Sequence, residues 1–253
     1  MNKTVLITGA TSGFGKACAI KFAQNNYNVI ITGRRQERLN KLKQQLEQEY
    51  KVQVCSLCFD IQNKKEVFEN IETLPLSFTK IDILINNAGL ALGRDNFENA
   101  DISDWEIMLD TNVKGLMYIT KAVLPKMIAS KKGHIVNIGS TAGKEVYENG
   151  NGYCASKHAV DALSKAMRID LLKHNIKVTA IHPGAAETEF SIVRFKGEQE
   201  KADAVYQNYM PLQAADIAET VFFCTSLPNH VCINDLVITC TQQANSFYLA
   251  KNQ

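Results

Sequence analysis

The chain has 253 residues, 45% apolar and 21% charged, the profile of an ordinary globular protein and not of a disordered, fibrous or coiled-coil one. Twenty-eight basic residues against 26 acidic ones leave a net charge of +2, too balanced to advertise nucleic acid or an anionic membrane as a partner. Seven scattered cysteines argue against a secreted disulfide framework. Met1-Asn2-Lys3-Thr4 runs straight into an expected strand without a signal peptide, and no apolar run reaches the ~18 residues of a membrane helix. A cytoplasmic, single-domain protein spanning 1–253 is therefore expected.

Taken in chain order, the first expected strand is Thr4–Thr8. It runs into Gly9-Ala10-Thr11-Ser12-Gly13-Phe14-Gly15 and then a helix with Phe14, Cys18 and Phe22 at i, i+4 and i+8. Glycines at 9, 13 and 15 allow a tight turn and close backbone approach to a pyrophosphate, with the helix N-terminus supplying free N–H groups. The spacing is Gly-x3-Gly-x-Gly, not the commoner Gly-x-Gly-x-x-Gly. The second strand, Asn28–Thr32, leads into Gly33-Arg34-Arg35. An NAD site would place a carboxylate there for the ribose hydroxyls, whereas Arg34 and Arg35 suit a 2′-phosphate, so NADP(H) is the expected cofactor. The alternative is that both arginines cap the next helix and pair with Glu37.

The third strand, Gln53–Cys58, carries Cys55 and Cys58 on opposite faces, so they cannot share a metal or a disulfide. His134, His158 and His182 show no ligand spacing, and no metal site is expected. A fourth strand at Ile81–Asn86 precedes a long amphipathic repeat from Trp105 to Met127. The fifth, His134–Ile138, is closed by Ser140. A helical pattern from Ala155 to Leu172 follows, with Tyr153 and Lys157 four residues apart on one face at its start. The sixth strand, Lys177–His182, gives way to an irregular stretch, about 183–211, of the length of a lid or binding loop. Leu236–Thr239 is the seventh. Strand–helix alternation with near-continuous Val/Ile/Leu strands predicts an α/β fold: a Rossmann-type doubly wound parallel sheet of about seven strands, helices on both faces.

These motifs, in this order, resemble the short-chain dehydrogenase/reductase family over nearly the whole length. The glycine loop from Gly9 to Gly15 comes first, then Asp60 after the third strand and Asn86-Asn87-Ala88-Gly89 after the fourth. Asn112, Ser140, Tyr153 and Lys157 follow, and then Pro183-Gly184-x-x-x-Thr188. The resemblance implies that Thr11, Ser12, Gly13 and Phe14 belong to the dinucleotide cradle and that Asp60 and Ile61 contact the adenine. It implies too that Asn87, Ala88 and Gly89 shape the cofactor floor, and that Pro183, Gly184, Ala186 and Thr188 hold the nicotinamide carboxamide and pyrophosphate. Tyr153 would be the general acid–base, with its pKa lowered by the Lys157 ammonium. Ser140 would hold the substrate oxygen, and Asn112 would anchor a water relay to Lys157.

Stretches outside this set, above all Thr188-Glu189-Phe190-Ser191-Ile192-Val193-Arg194-Phe195-Lys196-Gly197, look like the NADP-dependent 3-hydroxy acid dehydrogenases. That resemblance implies a hydride transfer between the nicotinamide and serine, threonine, 3-hydroxyisobutyrate or 3-hydroxypropionate, in a homotetramer. Arg194 and Lys196 are the candidates for a substrate carboxylate, Arg194 being the better suited; its alternative is a pair with Glu198 or a neighbouring subunit. Two departures stand out: Glu145 and Glu148 beside the expected substrate entrance, and the small Ala185-Ala186 pair. The competing readings are a reductase of 3-oxoacyl thioesters or other carbonyls, and a non-catalytic NADP sensor.

Overall fold

The structure is a computed structural model and describes residues 2–251; Met1 of the N-terminal tetrapeptide lies outside them. Strand β1 (Thr4–Ile7) is buried at every position. Its side chains alternate between two cores: Val5 and Ile7 join Phe22 and Leu39 on one face, while Leu6 joins Ile30, Leu84 and Ile119 on the other. A strand covered on both faces has no solvent side to mark with polar residues, which is why it reads as a continuous apolar run.

The chain continues through α1 (Gly13–Gln24), β2 (Asn28–Gly33), α2 (Gln36–Tyr50), β3 (Val54–Cys58), α3 (Lys64–Glu72) and β4 (Ile83–Asn86). Next come α4 (Ile102–Leu109), α5 (Leu116–Ala129), β5 (Gly133–Ile138), α6 (Asn151–Asp170) and β6 (Ile176–Pro183). The two-residue β7 (Ala186–Glu187), α7 (Phe190–Arg194), α8 (Gln199–Ala204) and β8 (Leu212–Gln213) precede α9 (Ala214–Ser226) and β9 (Asp235–Ile238).

The main sheet is parallel throughout, in the order β3-β2-β1-β4-β5-β6-β9. Chain direction across the sheet reverses between β1 and β4, where Val5 is in register with Val29 on one side and Ile83 on the other. That reversal opens a crevice at the carboxyl ends of the strands, the ordinary ligand position in such sheets. Helices α1, α2 and α9 cover one face and α3, α5 and α6 the other. The expected doubly wound fold is present, with all seven strands within two residues of their expected ends.

A buried polar ladder holds the site-bearing half in register. Asn86 Nδ2 donates to Thr120 Oγ1 and to Asn137 Oδ1, both at 2.8 Å, and Asn137 Nδ2 donates to Ser164 Oγ at 2.8 Å. These bonds tie β4, β5, α5 and α6 together just behind the crevice; inside a core each is worth keeping because an orphaned polar group costs about 1–3 kcal/mol.

Two expectations are corrected. The amphipathic repeat from Trp105 to Met127 is one rod, but a π-helical segment at Asp110–Gly115 interrupts it between α4 and α5. A wider turn of this kind re-aims side chains without breaking the apolar face, so periodicity does not betray it. The irregular stretch 183–211 holds two short helices and a two-strand ladder pairing Ala186 with Leu212 and Glu187 with Gln213. Helices of five and six residues are too short to print an apolar period.

Candidate active site

The glycine loop leaves β1 through Gly9 at φ +65°, where an added Cβ would lie 2.9 Å from Ala88 Cα. At Gly15 a Cβ would run into the Gly9 carbonyl. Only glycine permits this turn, and α1 then starts with its N-terminus toward the crevice. Asn87 closes the floor, its Nδ2 donating to the Thr8 carbonyl at 2.8 Å.

At the end of β2, Arg35 donates from Nε and Nη2 to Thr11 Oγ1 (3.1 and 2.7 Å), and from Nη2 to Ser12 Oγ (2.8 Å). Its Nη1 reaches Glu189 Oε2 at 2.9 Å. Arg34 lies 3.5 Å from Asp60 and is largely exposed. The alternative reading of the arginines is therefore corrected: their described ion pairs are with Glu189 and Asp60 instead of Glu37, and the Arg35 side chain does not cap α2.

Ser140 follows β5 and starts a tight turn, its Oγ accepting from the Ala142 amide at 3.1 Å. Tyr153 sits in the first turn of α6. That turn is fixed by Trp105, whose Nε1 donates to Asn151 Oδ1 at 2.8 Å, so the tryptophan that opens the amphipathic repeat also sets the helix start. Lys157, one turn on, is buried, and its Nζ donates to the Ile138 carbonyl at 2.9 Å.

Burial dominates the electrostatics here. It drops the Lys157 ammonium to about 8 and pushes the Tyr153 hydroxyl well above its ordinary 10, with the Tyr147 hydroxyl adding to the rise. The Ser140 hydroxyl and the Arg194 guanidinium oppose that rise without reversing it. The expected lowering of the Tyr153 pKa by Lys157 is thus not a property of the protein by itself. Lys157 Nζ is 5.9 Å from the tyrosine ring centre and bonded elsewhere, and desolvation outweighs its field.

Asn112 lies in the π-helical segment. Its Oδ1 accepts from the Leu90 amide at 2.8 Å, and its Nδ2 donates to the Leu90 carbonyl (2.8 Å) and to Ser156 Oγ (3.0 Å). Its side chain is spent on pinning the Leu90 strip to α6. The water relay expected from it would therefore have to run from backbone and not from the amide.

Arg194 ends α7. Its guanidinium carbon is 5.7 Å from the ring centres of both Tyr147 and Tyr153, and Nε donates weakly to the Gly93 carbonyl at 3.4 Å. Its Nη2 is buried with no hydrogen-bond partner among the described residues. The pair with Glu198 considered for it does not form; Glu198 takes Lys201 at 2.8 Å. Lys196 turns away to Asp104 at 2.9 Å, which removes it as a carboxylate partner.

All the site residues picked out in the sequence except Gly15 and Asn112 line one cleft of about 1080 Å³; these two stand just behind its wall. Tyr147, Phe190 and the C-terminal strip at Gln243 and Ser246, none assigned a site role from the sequence, also line it. Gln243 Oε1 accepts from the Ala185 amide at 2.8 Å, and Ser246 N donates to Glu145 Oε2 at 2.9 Å. Glu145 therefore ties down the C-terminal strip instead of standing free at the entrance.

A further cluster joins Asp161, His182 and Asp235, whose ligand-type atoms fall within 4.8 Å. Lys144 donates to both carboxylates, so a cation is already in place. His182, kept neutral chiefly by burial, faces the Ser140 carbonyl through Nδ1 at 3.2 Å. Its neighbours lie 21 and 53 positions away, which is why no local spacing marked it.

A hydroxyl pair, Ser140 and Tyr153, thus faces a cleft with a buried lysine behind and, in front, a guanidinium whose Nη2 has no partner among the described residues. Such a set can hold an alcohol or carbonyl oxygen, move one proton, and receive an anion.

Comparison with known proteins agrees with this geometry. NADP-dependent 3-hydroxy acid dehydrogenase YdfG of Escherichia coli K12 is 48% identical over 234 residues, covering 92% of each chain. Sulfoacetaldehyde reductase 2 of Chromohalobacter salexigens is 45% identical over 249 residues, 98% of each. Among solved structures, the closed form of serine dehydrogenase complexed with NADP+ superimposes with a TM-score of 0.92 at 45% identity, covering 99% of this chain and 100% of that one. The short chain dehydrogenase family profile matches residues 3–199, and the chain belongs to that family.

Proposed function

We propose that the chain is an NADP(H)-dependent oxidoreductase. It oxidises short 3-hydroxy acids such as serine, threonine, 3-hydroxyisobutyrate or 3-hydroxypropionate, and reduces the matching carbonyl compounds. The observation that carries this reading is Arg194: a half-buried arginine whose Nη2 is enclosed without a hydrogen-bond partner among the described residues, beside Tyr153 in the same cleft. A charged donor left unpaired in the interior costs at least about 1–3 kcal/mol, which an anionic substrate would recover.

The residues present suit the dinucleotide. Gly9 and Gly15 leave the turn open to a phosphate backbone, and Arg34 and Arg35 bring two guanidiniums to the end of β2, where a 2′-phosphate needs them. When bound, NADP supplies the hydride acceptor or donor. Everything else falls to the chain. Arg194 holds the substrate carboxylate, and Ser140 Oγ steadies the reacting oxygen. Tyr153 Oη takes the hydroxyl proton in oxidation and returns it in reduction. Lys157 supplies a positive charge behind Tyr153, although burial leaves it charged only below about pH 8 in the free protein.

With Ser140, Tyr153 and Lys157 brought together, the sensor alternative is set aside. A sulfonate is the second substrate class, favoured by the likeness to a sulfoacetaldehyde reductase over 98% of the chain, since Arg194 would serve either anion. The assembly we propose is a cytoplasmic homotetramer, supported by the exposed apolar Ile107, Leu109 and Met117 along the α4–α5 rod and Ile169 on α6.

Arg194→Ala tests the assignment. KM for serine should rise roughly tenfold to a hundredfold, the scale of a lost charge-assisted hydrogen bond. KM for a short uncharged alcohol should change by less than about twofold. Equal effects on both would remove Arg194 from substrate recognition.

A further inference from the structure

The nucleotide end and the substrate end of the cleft are joined by an ion pair that neither site requires on its own. Glu189, the residue before α7, accepts from Arg35 Nη1 at 2.9 Å and from Arg38 Nη1 at 2.6 and 2.9 Å. Arg35 is at the same time anchored to Thr11 and Ser12 of the glycine loop. The contact thus spans the cleft from the α2 side to the loop after β6. Burial favours the protonated Glu189 carboxyl, but Arg35 and Arg38 overcome that and hold it below its ordinary value, so it is ionised at neutral pH.

What Glu189 holds matters more than the pair itself. It fixes the start of α7, five residues before Arg194. Along the same turn of chain, Phe190 packs edge-on against the Tyr153 ring at 5.5 Å. The far end of α7 is tied by the Gly93 amide to the Arg194 carbonyl at 3.0 Å. The middle of α7 is held by Ser191 Oγ against Tyr206 Oη at 2.7 Å, and Glu189 adds the tie that joins its start to the nucleotide side of the cleft; a five-residue helix keeps its place only through such contacts. With the ion pair closed the cleft, which Arg35 and Glu189 help to line, still measures about 1080 Å³, so the pair does not fill it.

We propose that Glu189 is a positioning residue: by pairing with Arg35 and Arg38 it latches α7 across the cleft, retaining the dinucleotide and setting Arg194 against the substrate anion. The second half of this statement rests on the reading of Arg194 given above; the first half does not. The latch couples the two ligands. A cofactor beneath it leaves slowly, and a substrate arriving above it meets Arg194 already in place.

The test is a double-mutant cycle on NADPH release, followed by stopped-flow fluorescence with excess NADP+ as displacer. Glu189→Gln and Arg38→Gln should each speed release roughly three- to tenfold, the range for a partly exposed charge network. The double variant should release no faster than Glu189→Gln, because Arg38→Gln removes only a contact already lost with the carboxylate. Release from the unaltered protein should quicken more steeply with salt than release from Glu189→Gln, in which only the arginine–phosphate contacts remain to be screened. In steady state, Glu189→Gln should raise KM for serine while leaving kcat and KM for an uncharged alcohol within about twofold.

Opposite signs would overturn the proposal. If Glu189→Gln slows release while Arg38→Gln speeds it, the carboxylate is a competitor of the 2′-phosphate. Release unchanged in both variants would overturn it equally. The release measurement needs no substrate, so it stands or falls apart from the assignment of 3-hydroxy acids; a positive Arg194→Ala result beside unchanged release would leave that assignment intact and remove the latch.

Discussion

Replacing Tyr153 with phenylalanine is expected to lower kcat about a hundred- to ten-thousandfold, the contribution of a positioned general acid–base. NADPH affinity should change by less than about twofold. The ring stays, packed against Phe190, so the loss is confined to one oxygen. Burial raises the Tyr153 hydroxyl well above its ordinary value, which makes the pH dependence informative. Oxidation requires the deprotonated tyrosine, so its rate should climb steadily from about pH 7 to 10. Reduction requires the protonated form, which burial maintains, and should stay flat over the same range. A Phe variant that keeps more than a tenth of the activity would show that another group moves the proton.

Lys157→Met should remove most activity and yet stabilise the protein. The ammonium is buried and its pKa falls from 10.5 to about 8 on folding, a difference of about 3 kcal/mol against the folded state. A lysine with a depressed folded pKa imposes its full cost below the folded value, and the cost fades as pH rises from about 8 to about 10.5. Losing the bond to the Ile138 carbonyl offsets about 1 kcal/mol. The net gain at pH 7 is then about 2 kcal/mol, or roughly 5 °C in Tm for a chain of this size. It should vanish above about pH 10.5. Denaturant unfolding of both proteins at pH 7 and pH 10.5 checks this. A variant less stable at pH 7 would mean that the ammonium is better compensated than its surroundings indicate.

A destabilising lysine kept beside a tyrosine is what a site built for chemistry looks like. Its geometry also shows what the sequence could and could not reveal. Tyr153 and Lys157 were legible because one helical turn forces them onto one face, and Ser140 because residues just past parallel strands converge on the crevice. Arg194 was legible by chemistry alone: the residue type suited an anion, but only the fold shows Nη2 buried and unpaired. The partners of Arg35 were not legible. Glu189 lies 154 positions away, and no local spacing encodes a contact across the mouth of a cleft. The network of Lys144, Asp161, His182 and Asp235 was hidden for the same reason, being assembled from α6, β6, β9 and the loop after β5. The short helices α7 and α8 and the π-helical segment escaped because each is shorter than the window in which periodicity shows.

The electrostatic expectation for Tyr153 failed for an instructive reason. A pairwise charge argument places Lys157 near the tyrosine and lowers its pKa, but both groups are buried, and desolvation acts on each before either acts on the other. Arg194 and Ser140 pull in the lowering direction and are not enough. On this account the pKa of Tyr153 falls only when further positive charge enters the cleft.

The central claim is that one cleft joins a 2′-phosphate-reading nucleotide site to an anion-reading substrate site. It is tested most directly by the initial rate of NADPH formation or consumption over a matched panel: serine, 3-hydroxyisobutyrate, malonic semialdehyde, sulfoacetaldehyde, an uncharged alcohol and a 3-oxoacyl thioester, each with both cofactors. The account predicts turnover of the small anionic substrates with NADP(H), at least about a hundredfold more efficient than with NAD(H), and poor turnover of the alcohol and thioester. Turnover of the thioester or the uncharged alcohol alone, or equal use of the two cofactors, would contradict it.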